Sequence, residues 1–82
     1  MNLSELPSLT APFQAMKIMD GVKEKICGNE NFIAFTIKTA LKNNRPYVAI
    51  IHTIKDMAID NHNAIEFMLG TELTNEILNF RA

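Results

Sequence analysis

Asn31-Phe32-Ile33-Ala34-Phe35-Thr36-Ile37-Lys38-Thr39-Ala40-Leu41-Lys42, followed by Asn43-Asn44-Arg45-Pro46 and then Tyr47-Val48-Ala49-Ile50-Ile51, is the stretch on which the fold turns. At helical spacing, Phe32, Phe35 or Thr36, and Thr39 share one side, while Ile33, Ile37, Ala40 and Leu41 share another. At strand spacing, Ile33, Phe35, Ile37, Thr39 and Leu41 alternate, and the Asn-Asn step connects them to residues 47–51 as a β-hairpin. The first reading leads to an all-α bundle. The second leads to an α+β fold with a small hairpin or sheet over residues 14–54 and helices at the C-terminal end.

Working outward, the punctuation favours helices. Stops fall at Pro7, Thr10 and Pro12, at Gly28-Asn29-Glu30-Asn31, at 42–46, at Asp60-Asn61-His62-Asn63 and, more weakly, at Gly70-Thr71. The pieces between them are of helix length more than strand length. In the first piece, about 11–27, Ala15, Met19, Val22 and Ile26 form a stripe. Thr10 suits its N-cap, Pro12 its first turn and Gly28 its C-terminal cap. Asp20-Gly21 inside it also reads as a tight hairpin turn. In the third piece, capped by Asn44, Tyr47, Ile50, Ile51, Ile54, Met57 and Ala58 form an apolar face. The fourth, from Asn63, carries Ile65, Met68, Leu69, Leu73, Ile77 and Phe80, unless Gly70 splits it and Thr71 caps a separate last helix. The expectation is a single domain over 1–82: a compact bundle of about four short helices, with residues 1–10 as an N-terminal extended arm.

Composition narrows the function. The net charge of -1 and pI of about 6.0 argue against a nucleic-acid binder carried by bulk positive charge. The start at Met1 lacks a basic region followed by an apolar core, and no apolar run approaches the ~18 residues of a membrane span. Cys27 is the lone cysteine, so neither an internal disulfide nor a cysteine zinc cluster is available. That suits a reducing, cytoplasmic setting, with Cys27 as a small buried or half-buried hydrophobe.

Chemistry-bearing groupings are few. His52, Asp56 and Asp60 recur every four residues with His62 just beyond, a spacing that suits a divalent metal but also an ordinary solvated face. The latter is the reading adopted, with no metal, cofactor or catalytic residue assigned. Gly21, Gly28 and Gly70 are dispersed, so there is no phosphate loop.

Two patterns point instead to a partner. Roughly 30 side chains are Leu, Ile, Val, Met, Phe or Tyr, and a domain this small buries only about 60% of its unfolded surface. The surplus predicts a homo-oligomer or an apolar groove for a partner protein, with Phe13, Met16 and Met19 of the first helix and Leu73, Ile77 and Phe80 of the last as binding residues. Charge is also segregated: Lys38, Lys42, Arg45 and Lys55 lie in an acid-free stretch, and Asp56, Asp60, Glu66, Glu72 and Glu76 in a base-free one. Basic and acidic regions of different subunits facing each other would set an oligomer's register. The alternative is a nucleic acid or phosphate ligand on Lys38, Lys42, Arg45 and Lys55. The functional expectation is a small non-catalytic interaction module, an adaptor, inhibitor or assembly factor.

Overall fold

The computed structural model describes residues 7–81, with side chains from residue 12 onward. It contains α1 (Pro7–Ile26), α2 (Phe32–Lys42), α3 (Tyr47–Asp60), α4 (His62–Leu69) and α5 (Thr71–Asn79), with no strand among the described residues. The fold is all-α, and the hairpin alternative over 14–54 does not form.

The termini of α2 explain the outcome. Asn31 stands in extended conformation, and its side-chain oxygen accepts from the Ala34 amide at 2.8 Å, satisfying a first-turn donor. At the other end the Arg45 amide donates to the Ala40 carbonyl and the Asn44 amide to the Leu41 carbonyl, both at 3.1 Å. With Asn44 at φ 58°, this pair is a Schellman closure, and asparagine is one of the few residues that adopt the left-handed state readily. Asn44 therefore closes α2 and does not cap α3, whose N-cap position is Pro46 without a side-chain bond. An Asn43-Asn44 step whose amides are spent on helix carbonyls cannot also be a hairpin turn.

Helix α1 starts earlier than the sequence suggested. Pro7, not Pro12, occupies the first helical position, where a missing amide donor is harmless. Residues 7–10 are thus helical and not part of an arm, Thr10 does not cap the helix, and Pro12 lies inside it. Residues 1–6 of the expected arm lie outside the described residues.

Asp20-Gly21 continues α1, and Met19 and Val22 beside it are fully buried. A Cβ on Gly21 would meet the two Leu73 methyls of α5 at 3.4 and 3.5 Å, ordinary contact with the end of a flexible side chain. Gly21→Ala should therefore stabilise the protein by about 0.5–1 kcal/mol through helix propensity. A raised urea midpoint would agree with this, and a lowered one would mean that α5 cannot give way.

The last segment divides, which makes five helices of the expected four. Asn61 alone separates α3 from α4: its amide closes α3 on the Met57 carbonyl at 2.8 Å, and its side-chain oxygen accepts from the Ala64 amide at 3.3 Å. Gly70, at φ 88° and ψ 159°, separates α4 from α5, and it, not Thr71, is the N-cap residue of α5.

Helix α3 lies at the centre, against α1, α4, α5 and α2, while α2 leans mainly on α3. The core joins Ala15, Ile18, Met19, Val22 and Ile26 of α1 to Ile50, Ile51, Ile54 and Ala58 of α3. Ala34, Ile37 and Ala40 close it from α2, and Ile65, Met68, Leu69, Ile77 and Phe80 from the C-terminal side. Thr74 is the polar member, fully buried with its hydroxyl unpartnered. An unsatisfied buried donor costs about 1–3 kcal/mol, and valine keeps the shape without the hydroxyl. Thr74→Val is expected to stabilise by about 1 kcal/mol in urea denaturation. A destabilised variant would show that the hydroxyl has a partner in solution.

Candidate partner-binding surface

Helix α2 carries two apolar stripes and buries only one. Ala34, Ile37 and Ala40, two of them small, let it lie close to α3. The opposite stripe, Phe32, Phe35, Thr36 and Thr39, follows steps of three, one and three and lies on the outside. Phe32 is 78% exposed and Phe35 64%. With Asn43 and Arg45 they border a shallow open groove, in which Thr36 donates its hydroxyl to the Phe32 carbonyl at 2.9 Å.

Other large apolar groups stand outside the core as well. Phe13 and Met16 are exposed at 61% and 46% on α1, Ile59 at 72% in the last turn of α3, and Phe67 at 93% on α4. Four of the five phenylalanines are therefore external, and only Phe80 is internal. A phenylalanine withheld from a core forgoes about 1.5–3 kcal/mol.

The burial separates the residues expected to meet a partner. Phe13 and Met16 are available. Met19 and Ile77 are fully buried, and Phe80 almost so, because α5 folds back on α1 within the same chain. Leu73 is half-buried over Gly21. The apolar end of α5 thus packs against its own chain, and these four residues are not a free surface. Phe32, Phe35, Ile59 and Phe67 are exposed apolar groups outside the residues that the sequence pattern points to. The signal for two of them was present, since Phe32 and Phe35 fall on the α2 side opposite Ile37 and Ala40.

The four cations do not converge. Lys38 donates to the Asn29 carbonyl at 2.6 Å, and Lys55, half-buried, to the Phe80 carbonyl at 3.2 Å on a different part of the fold. Lys42 and Arg45 are exposed at the C-terminal end of α2. A further cation, Lys23, joins α1 to α3: its ammonium donates to the Tyr47 hydroxyl at 2.6 Å and stands 4.8 Å from that ring's centroid. This hydrogen bond holds the Lys23 ammonium above the usual lysine range.

His52 turns its ring to Phe80, with centroids 5.9 Å apart. Among the described residues, no three of His, Cys, Asp and Glu gather as metal ligands, so His52, Asp56, Asp60 and His62 form no such cluster. Cys27 is exposed, not buried, because α1 ends just before it and Gly28 turns the chain away at φ 84°.

A concavity of about 650 Å³ is an open cleft between α1 and α5, with Lys17 on one side, Glu72 and Glu76 on the other, and Ile18 and Phe80 lining it. No helix among the described residues is long and apolar enough to cross a membrane. Compared with protein-family models, curated proteins and solved structures, the chain matches none.

Proposed function

We propose that this chain is a small non-catalytic interaction module, an adaptor, inhibitor or assembly factor, that also self-associates. The outer face of α2 is its docking surface. One observation carries the reading: Phe32 and Phe35 stand outside a core that is closed without them. A helix apolar on two sides belongs under a partner. Together the two rings hold in reserve about 3–6 kcal/mol of burial energy, enough to matter in association once the cost of immobilisation is met. The groove on α2 is shallow, which fits a partner's side chains better than an enclosed small molecule. A reducing cytoplasm is the setting in which the exposed Cys27 thiol persists.

The test is sedimentation of the full chain over a wide concentration range, together with binding of an environment-sensitive apolar dye. The wild type should bind dye when dilute and release it as chains associate. Phe32→Ser/Phe35→Ser should bind dye weakly and stay monomeric. Unchanged dye binding and association in that variant would move the function away from α2.

A further inference from the structure

The outer face of α2 is apolar with a basic margin. Arg45 borders the groove with Phe32 and Phe35, Lys38 and Lys42 stand exposed on the same helix, and no acid occurs between Glu30 and Asp56. The corner where α3 passes into α4 is the converse. On α3, His52, Asp56, Ile59 and Asp60 follow the spacing of one exposed stripe; Glu66 is half-buried next to Phe67, and no Lys or Arg occurs between Asp56 and Phe80.

Asp60 faces the N-terminal end of α4, whose dipole favours an acid, but α3 itself offers the acids nothing. Asp56 and Asp60 sit near the C-terminal end of α3, where the helix dipole disfavours negative charge, and that last turn holds no base to offset them. Ile59 and Phe67 are likewise unused by the core.

We infer that the partner of α2 is a second copy of this chain, whose Asp56, Ile59 and Asp60 face docks on Phe32, Phe35, Lys42 and Arg45. This rests on the reading of α2 as a docking surface and adds the occupant. Both halves of the contact are present in one sequence, with apolar centres and opposite margins. Pairing α2 with α2 in parallel would instead set Lys38, Lys42 and Arg45 against their own copies, and an antiparallel pairing would bring Lys42 and Arg45 only Glu30 for an acid. The contact joins two different patches, each present on every chain, so it closes when two chains exchange both contacts and otherwise propagates from copy to copy.

The experiment is a charge swap read by sedimentation of the full chain. Wild-type association should weaken with added salt. Lys42→Glu/Arg45→Glu alone and Asp56→Lys/Asp60→Lys alone should each associate at least tenfold more weakly. An equimolar mixture of the two should recover mixed complexes near the wild-type strength, because each reversed margin again meets its opposite. Ile59→Ser, a neutral change at an exposed position of that face, should also weaken association and decides the matter if a charge variant fails to fold.

A wild type that stays monomeric to millimolar concentration would overturn the inference. So would Asp56→Lys/Asp60→Lys associating like the wild type, which is the outcome for α2 against α2, or a mixture no stronger than its parts. In each case, dye bound by the wild type and lost in Phe32→Ser/Phe35→Ser leaves α2 as a docking surface for another partner. Dye binding unchanged in that variant removes the reading beneath.

Discussion

Ile54→Ala should lose about 2–5 kcal/mol of stability, a large share of the molecule's reserve. Ile54 is fully buried in the middle of α3, the helix that every other helix touches. Deleting its outer carbons opens a cavity that several elements would have to move together to fill. A chain of this length holds a total of about 4–12 kcal/mol, so the variant should be largely unfolded at body temperature or melt roughly 10–30 °C lower. Ile54→Val, which removes one methylene, should cost only about 0.5–1.5 kcal/mol. Urea denaturation measures both. Equal, small losses would mean that the centre of the bundle lies elsewhere.

Gly70→Ala should cost about 1–3 kcal/mol, although a methyl there would touch nothing within 4 Å. The penalty is in the backbone. Gly70 combines φ 88° with ψ 159°, a region open in practice to glycine alone, and it is the single residue that lets α5 turn back from α4. Its amide closes α4 on the Glu66 carbonyl, and its carbonyl receives the Thr74 amide that opens α5. This conformation is not the left-handed helical one, so Gly70→Asn should be as costly as Gly70→Ala. At Asn44, where φ is 58°, Asn44→Gly should instead be tolerated. Thermal midpoints of the three variants check the ordering. A Gly70→Asn protein as stable as the wild type would show that the α4–α5 junction is not held in this geometry.

The same residues show how far the sequence could be read. Helix ends were legible because they are local chemistry: the Asn43-Asn44-Arg45-Pro46 run and Asn61 each stop a helix by satisfying its terminal groups, and Gly28 stops one by turning the chain at positive φ so that the Asn29 amide reaches the Ile26 carbonyl. Buried stripes on α1 and α3 were legible because only one side of each helix is rich in apolar residues. Helix α2 was not, since both of its sides are apolar and a period alone does not say which faces inward. Packing decided it, by placing small Ala34 and Ala40 against α3 and leaving the bulky Phe32 and Phe35 outside. The start of α1 was misplaced because Pro7 and Pro12 carry the same local signal. The apolar groups Met19, Leu73, Ile77 and Phe80 are covered within the chain, Leu73 in part, and the sequence did not show this. An apolar stripe says that something covers it, and only the return of α5 onto α1 shows that the cover is intramolecular.

The central claim is that Phe32 and Phe35 contribute to what the chain binds and not to how it holds itself together. The most direct test is the unfolding free energy of Phe32→Ser/Phe35→Ser, measured in urea at a concentration where the wild type is monomeric. Serine and phenylalanine have similar helix propensity, so the comparison isolates side-chain burial. The predicted change is within about 0.5 kcal/mol, the range of ordinary surface substitutions. A loss above about 3 kcal/mol, the scale of emptying a core, would contradict the account.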